Sequence, residues 1–284
     1  MRQLTSGALL DSIRGVHWPA RRVIGGAFQG AHRSSRVGSS PEFMQYRPYQ
    51  QGDDPSKIDW KLYGRTDRVA IRLAHDDSSL RTMVVVDASA SMAFPADTMA
   101  KWELAAAVAL GLIAVAHGDN DPAGIAIVGG GDTRALPPRT RRGTVANALK
   151  LLLETAPGGS APLAPALARL GTSKRVALVS DFLGDADALL ERARELVAGG
   201  REVYAVHVVS VEELDPRPRG DVVSDPEDAA LKRTLDSSAL RDYRETFAAW
   251  REQLSARWRA AGVRYAVATT DEPPERVVRR IVAP

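Results

Sequence analysis

The chain has 284 residues, of which 44% are hydrophobic and 26% are charged, a composition that is typical of a globular protein and excludes a fibre or a mainly disordered chain. Cysteine is absent, which excludes disulfides, thiolate metal sites and cysteine nucleophiles. The formal charge of +3 is too small to indicate nucleic acid as the partner.

Residues 1–40 form a first segment that is rich in arginine and carries a single acid, Asp11. Glycines at positions 25, 26 and 30 would interrupt any long helix there. This pattern predicts a basic N-terminal arm that packs on the main domain, with phosphate binding or partner docking as the alternative. Its first twenty residues contain no apolar stretch of the kind found in a secretory signal.

Residues 41–79 form a second, irregular segment around the turn sequence Gly-Asp-Asp-Pro. The spacing predicts Asp54 as a helix N-cap, because Pro55 then falls at the first helical position. The short helix is expected to carry three apolar residues, Ile58, Trp60 and Leu62. Apolar alternation over residues 69–73 predicts a strand after it.

In residues 80–284, apolar runs alternate with helical patterns. Strands are predicted at 82–87, 123–128, 134–136, 175–180, 202–209 and 263–269. Helices are predicted at 97–117, 143–154, 162–170, 186–198 and 238–261, with a last one from residue 274. Aromatic residues recur every three or four positions in the helix at 238–261, which predicts that this stripe faces the core. The alternation indicates an α/β domain with an open, mainly parallel sheet.

The longest apolar run, residues 104–116, lies inside one of these predicted helices. A membrane-spanning helix needs roughly 20 apolar residues, so the run is too short and predicts a helix buried against the sheet. We therefore expect no membrane span and a cytoplasmic location.

Hard oxygen donors follow two of the buried strands. Asp87, Ser89 and Ser91 occupy every second position directly after the strand at 82–87, and Asp181 follows the strand at 175–180. Ligands of open α/β sheets bind at the carboxyl ends of strands, so both aspartates are expected to reach one crevice. Such donors suit Mg²⁺, while simple helix capping by the aspartates is the alternative.

These residues resemble the metal-ion-dependent adhesion site of the von Willebrand factor A domain, which uses a D-x-S-x-S loop, a threonine from a second loop and an aspartate from a third. Here Ser160, in Gly-Gly-Ser, stands where that family usually has threonine, and Thr144 is a competing candidate. The resemblance implies Mg²⁺, or alternatively Mn²⁺ or Ca²⁺, at a site formed by Asp87, Ser89, Ser91, Ser160 and Asp181. The serines of the D-x-S-x-S loop are expected to bind directly and the aspartates mostly through water.

A narrower resemblance covers roughly residues 30–284, to domain-of-unknown-function family fifty-eight. It is carried by Arg47-Pro48-Tyr49, Gly52-Asp53-Asp54-Pro55 and Ile58-Asp59-Trp60. Members are von Willebrand A-like and are typically encoded beside MoxR-type AAA+ ATPases. The resemblance implies a non-enzymatic adaptor of such an ATPase, working on an unknown client protein, and places this chain with the short, soluble members.

The expected organisation is therefore a basic arm at 1–40, a family-signature segment at 41–79 and a von Willebrand factor A-like domain at 80–284. The strand at 82–87 is expected between those at 123–128 and 175–180, with helices on both faces of the sheet. The strand at 134–136 is expected as an antiparallel edge, and the strands at 202–209 and 263–269 on the far side.

The same sequence features bear on three other functions. A dehalogenase-type enzyme needs a second acid two residues after Asp87, where the chain has Ser89. A nucleic-acid binder would use the basic N-terminal arm, with Tyr46 and Tyr49 beside Arg47 stacking on bases. The acids that follow, Asp53, Asp54 and Asp59, would repel phosphate. The remaining alternative is a metal-free interaction domain that docks through residues 52–60, with Arg47, Asp53 and Asp54 as its partner-binding residues.

Overall fold

The computed structural model describes residues 6–20, 45–49, 58–73, 79–130, 132–184, 186–216, 222–224, 232–234 and 237–283. The chain divides into two compact units, one formed by residues 1–23 with 80–284 and the other by residues 24–79. Its helices are α1 Ser6–Ser12, α2 Trp60–Thr66, α3 Ala100–Gly118, α4 Thr144–Leu153, α5 Leu163–Ala168, α6 Ala186–Ala198, α7 Val211–Leu214, α8 Ser237–Ala260 and α9 Pro274–Val282. Its strands are β1 Gln45–Pro48, β2 Ala70–Leu73, β3 Thr82–Asp87, β4 Ala123–Gly129, β5 Asp132–Arg139, β6 Arg175–Ser180, β7 Glu202–Val209, β8 Val222–Ser224, β9 Lys232–Thr234 and β10 Arg264–Thr269.

The larger unit is built on a six-stranded sheet in the order β10-β7-β6-β3-β4-β5. Neighbouring strands are parallel except β5, which runs antiparallel to β4 at the edge. The predicted order and the antiparallel edge are confirmed. Strands β3 and β6 are buried along their whole length, as their continuous apolar sequences predict for the centre of a parallel sheet.

Helices cover both faces of this sheet, as expected. One core cluster contains α3, α4 and α9, and the other contains α5, α6 and the C-terminal part of α8. Helix α3 is apolar around its whole circumference because it is enclosed on all sides. At Gly111 a Cβ atom would lie 2.6 Å from the Val278 side chain, so glycine permits the close approach of α3 to α9.

Among the described residues, α3 is also the one helix long and apolar enough to cross a bilayer. Of its most apolar window, 78% is buried inside the protein. The helix therefore has the surroundings of a core helix.

The apolar stripe of α8 is buried only in part. Leu254 and Trp258 lie in the core, as predicted, whereas Tyr243 is 38% exposed. The rings of Tyr243 and Phe247 stack at 5.5 Å, and those of Phe247 and Trp250 at 5.6 Å. The prediction of a fully core-facing stripe is thus wrong for the N-terminal half of the helix, where the aromatic side chains pack along the helix itself.

The described part of the predicted basic arm, residues 6–20, contributes to the core of the larger unit. Leu9, Ile13 and Trp18 are buried, because α1 and the chain after it turn their apolar side chains toward α3 and α9. Trp18 packs edge-on against Tyr204, with ring centroids 5.0 Å apart.

A fully buried arginine at the start of β6 holds this segment in place. The Arg175 guanidinium donates to Glu202 at 3.0 Å and to the carbonyl oxygen of Trp18 at 3.0 Å, and it lies 3.4 Å from Asp121. Its carbon atom sits 4.4 Å from the centroid of the Trp18 ring. One cation thus joins β6, β7 and the N-terminal segment.

In the smaller unit, β1 and β2 form an antiparallel pair, and β2 confirms the strand predicted at 69–73. Helix α2 begins at Trp60, and its N-cap is Asp59, whose carboxylate accepts the backbone N–H groups of Lys61 and Leu62, each at 3.0 Å. The predicted N-cap, Asp54, lies outside the described residues. The helix starts later than predicted because Asp59 supplies the capping carboxylate.

We predict that Arg175→Met lowers the free energy of unfolding by about 3–5 kcal/mol, because it removes the cation that two buried carboxylates share. Urea unfolding followed by circular dichroism measures the change. Arg194→Met is the control, since that side chain is 46% exposed and should cost less than about 0.5 kcal/mol. A wild-type midpoint for Arg175→Met would contradict the anchoring role.

Candidate functional site

The candidate site lies where the central strands β3 and β6 end. Val86 pairs with Val179, so the next residues along, Asp87 and Ser180, fall side by side. The Ser180 hydroxyl donates to one Asp87 carboxylate oxygen at 2.5 Å, and the Ser89 backbone N–H donates to the other at 2.8 Å. The Asp87 side chain is thus fixed by both strands and by its own loop.

The two serines of the D-x-S-x-S loop converge beside Asp87. A short 3-10 turn over Ala90–Ala93 follows Ser89 and brings the hydroxyl oxygens of Ser89 and Ser91 to 3.1 Å from each other. Both residues are buried. Sequence reasoning predicted this convergence from their spacing.

A second loop, residues 158–160, is joined to the first by backbone hydrogen bonds. The Ala90 N–H donates to the Gly159 carbonyl oxygen, and the Gly158 N–H donates to the Ala88 carbonyl oxygen, both at 2.8 Å. Gly159 has φ +62°, and a Cβ atom there would lie 3.1 Å from the Gly130 Cα, so the position favours glycine on both counts. The loop presents Ser160 at the site.

An open cleft of about 530 Å³ collects most of these groups. Asp87, Ser89, Ser160 and Ser180 line its polar end, and its walls are largely apolar. The wall residues include Pro162, Leu163, Phe182 and Leu189. Thr144, the competing candidate, lines a different cleft beside α4, and its hydroxyl donates to the Arg141 carbonyl oxygen at 2.8 Å. The geometry therefore favours Ser160 over Thr144.

Asp181 is not among the residues that line this cleft. Its carboxylate is 2% exposed and accepts the Lys101 ammonium at 2.6 Å, while its other oxygen accepts the Leu183 backbone N–H at 3.2 Å. Lys101 also donates to Glu213 at 2.7 Å. The structure thus places Asp181 beside the site but pairs it with a buried cation.

Lys101 and Glu213 are site residues that sequence reasoning missed. Lys101 lies in the first turn of α3 and is completely buried. Burial disfavours its charge, but the attraction of Asp181 and Glu213 outweighs that effect and raises the pKa of Lys101 above its ordinary value. The signal in the sequence is a lysine at the start of a helix whose following residues, 104–116, form the longest apolar run of the chain.

The Asp87 carboxylate is electrostatically strained. Burial and then the nearby Asp181 charge raise its pKa from 3.8 to about 6, although hydrogen bonds from Ser180 and Ser89 oppose the shift. A bound cation would relieve both effects, because it supplies the missing opposite charge. The site therefore favours a positively charged ligand near Asp87.

The chemistry of the donor set fits Mg²⁺. Asp87, Ser89, Ser91 and Ser160 would hold the ion through hard oxygen atoms. The described residues contain no cluster of three or more His, Asp or Glu side chains able to hold a metal, so any ion here would depend on hydroxyl donors.

The three predicted partner-binding residues, Arg47, Asp53 and Asp54, belong to the smaller unit. Asp53 and Asp54 fall outside the described residues. The backbone of Arg47 belongs to β1, where it pairs with Ile71. Their predicted role in partner binding stays a prediction.

The sheet order with one antiparallel edge, and the D-x-S-x-S loop at the end of the central strand, define a von Willebrand factor A-like domain. A family model described as "Protein of unknown function DUF58" matches residues 45–256. The chain belongs to this family.

Curated relatives include two mycobacterial proteins, the uncharacterized protein Rv1480 of Mycobacterium tuberculosis and the uncharacterized protein Mb1516 of Mycobacterium bovis. Each is 28% identical over 263 residues, which cover 89% of this chain and 82% of the relative.

Similar solved structures include the conserved hypothetical protein BatB from Bacteroides thetaiotaomicron, with 15% identity and a TM-score of 0.46 over 72% of this chain and 97% of that one. An aerotolerance-related membrane protein from Bacteroides fragilis has 16% identity and a TM-score of 0.44 over 72% of this chain and 98% of that one. The SpRpn10 VWA domain has 12% identity and a TM-score of 0.39 over 70% of this chain and 94% of its own.

We predict that Asp87→Asn stabilises the metal-free protein at high pH. The folded-state pKa of Asp87 lies above 3.8, its unfolded value, so its contribution to stability is full below pH 3.8 and is lost as the pH rises through about 6. The substitution should therefore raise the free energy of unfolding by about 3 kcal/mol at alkaline pH, and the gain should shrink toward zero in acid.

Urea unfolding in EDTA across the pH range measures this difference. Asp11→Asn is the control, because the Asp11 side chain is 72% exposed. A difference between Asp87→Asn and wild type that stays constant with pH would contradict the prediction.

Proposed function

We propose that this protein is a non-enzymatic interaction module that binds Mg²⁺ at the Asp87 cleft and uses the ion to recognise an acidic side chain of a partner protein. The observation that carries this proposal is the buried Asp87 carboxylate, which lies with Ser89 at the polar end of an open cleft. The hydroxyl oxygen of Ser91 lies 3.1 Å from that of Ser89. These residues offer oxygen ligands to a metal ion, and the open cleft lets a partner's side chain reach the same ion.

Binding rather than turnover is supported by the composition of the cleft. The described residues that line it include no His, Lys or Cys, and both oxygens of Asp87 already accept hydrogen bonds. A general acid or base needs a free proton-exchanging group within reach of a substrate. Bound Mg²⁺ would supply a positive charge and exchangeable coordination positions for an incoming carboxylate.

The proposed partner is a MoxR-type AAA+ ATPase, together with an unknown client protein. This part of the proposal rests on the resemblance that the family-signature segment, residues 41–79, carries. In that arrangement the module would act as an adaptor in the assembly or activation of other proteins.

A second candidate is metal-free docking through residues 52–60. One observation favours it: Trp60, the last residue of that segment, is 63% exposed and packs edge-on against Tyr63. An exposed tryptophan is a frequent anchor of protein interfaces.

Calorimetric titration with Mg²⁺ tests the metal site. We expect wild-type protein to bind and Ser89→Ala to bind at least tenfold more weakly, because a neutral donor at the ion is lost. Ser173→Ala is the matched control: Ser173 is also buried, but it lies before β6, at the opposite end of the sheet. Equal affinity of Ser89→Ala and Ser173→Ala would contradict the site.

Co-purification of the ATPase with the tagged protein tests the function. We expect EDTA and Asp87→Asn each to weaken capture, Mg²⁺ to restore capture by the EDTA-treated wild type, and Trp60→Ala to have no effect. Capture that is insensitive to EDTA and to Asp87→Asn but is lost with Trp60→Ala would reject metal-mediated recognition and favour the second candidate.

A further inference from the structure

The buried ion cluster behind the cleft contains one cation and two anions. The Lys101 ammonium contacts Asp181 at 2.6 Å and Glu213 at 2.7 Å, and the three side chains are 0%, 2% and 13% exposed. Neither carboxylate is among the residues that line the Asp87 cleft. A lysine buried this deeply is held only where its partners compensate its charge.

Each member of the cluster is fixed from a second side. One Glu213 oxygen accepts Lys101, and the other accepts the Ser210 backbone N–H at 2.7 Å in a capping box at the start of α7. Asp181 also accepts the Leu183 backbone N–H. Lys101 itself lies in the first turn of α3, whose backbone cannot shift without disturbing the core.

The carboxylate that the sequence predicted as a second acidic ligand of the metal, Asp181, already accepts hydrogen bonds from other groups. Both Asp181 oxygens have donors, and its strongest one is a full positive charge. A divalent ion bound to Asp181 would lie beside the buried Lys101 ammonium, whether it shared the carboxylate or displaced the lysine. Either arrangement is unfavourable, because like charges repel strongly where water is excluded.

We propose that Lys101 is a positioning residue that withholds Asp181 from the metal ion. This inference rests on the proposed function. The ion is then held by a single carboxylate, that of Asp87, and by neutral serine hydroxyls. It keeps a net positive charge, which is the property needed to attract an acidic side chain from a partner. Glu213 holds Lys101 in this role.

Mn²⁺ is the probe for this proposal, because its electron paramagnetic resonance gives affinity and its water-proton relaxation gives the number of bound waters. The first variant is Asp181→Asn, which leaves Lys101 paired with Glu213. We expect Mn²⁺ affinity to change less than threefold and the hydration number to stay the same, whereas Asp87→Asn should lose more than thirtyfold.

The second variant is Lys101→Met with Glu213→Gln, which removes one charge of each sign and frees Asp181. We expect Mn²⁺ to bind about tenfold more tightly and with fewer waters, and the added substitution Asp181→Asn to abolish the gain. Lys150→Met is the matched control, because that side chain is 75% exposed on α4 and should change neither value. Circular dichroism confirms the fold of each variant.

The outcomes separate this inference from the proposed function. If wild type binds Mn²⁺ and Asp181→Asn weakens binding as much as Asp87→Asn does, the positioning role is overturned and the metal-dependent function stands. If wild type binds no Mn²⁺ but the Lys101→Met, Glu213→Gln protein does, the positioning role stands and the metal-dependent function fails. If neither protein binds Mn²⁺, both are overturned.

Discussion

The hydrogen bond between the Ser180 hydroxyl and the Asp87 carboxylate joins the ends of two neighbouring parallel strands, and the geometry of the site depends on it. The register of β3 and β6 places these residues side by side, and burial makes the bond strong. Asp87 then orders its own loop through the Ser89 N–H, and that loop binds residues 158–160 through backbone hydrogen bonds. Sheet register thus determines which hydroxyls meet.

Strand β6 carries a buried ion cluster at each end, and the two clusters have opposite consequences. At its amino end, Arg175 binds acidic groups and the Trp18 carbonyl oxygen, which fixes the N-terminal segment to the core. At its carboxyl end, burial and then the Asp181 charge raise the pKa of Asp87, so we expect the metal-free protein to lose stability as the pH rises toward neutral. Strain of this kind is common at binding sites, where it is relieved by the ligand.

The sequence predicted the features that follow from local pattern. The positions of the strands came from apolar runs and the convergence of Ser89 and Ser91 from alternate spacing, which are local properties, whereas the expected strand order accompanied the resemblance to the von Willebrand factor A domain. The pairing of Lys101 with Asp181 could not be predicted, because it joins residues 80 positions apart. It depends on where the first turn of α3 lies relative to the carboxyl end of β6. The N-terminal arm was expected to pack on the main domain, but the group that holds residues 6–20 could not be predicted for the same reason, since it is a buried arginine far along the chain.

The charges at the proposed site impose an order of binding. An acidic side chain that entered the cleft alone would meet the Asp87 carboxylate between apolar walls, where repulsion is poorly screened. Asp181 would add more to that repulsion if Lys101 did not offset part of its charge. Once a divalent cation is bound, the same acidic side chain completes a nearly neutral group of charges. Under the proposed function, the metal ion must therefore bind before the partner. The Lys101 ammonium strengthens this requirement, because it keeps Asp181 from neutralising the ion and so leaves the ion's positive charge available to the partner's acidic side chain.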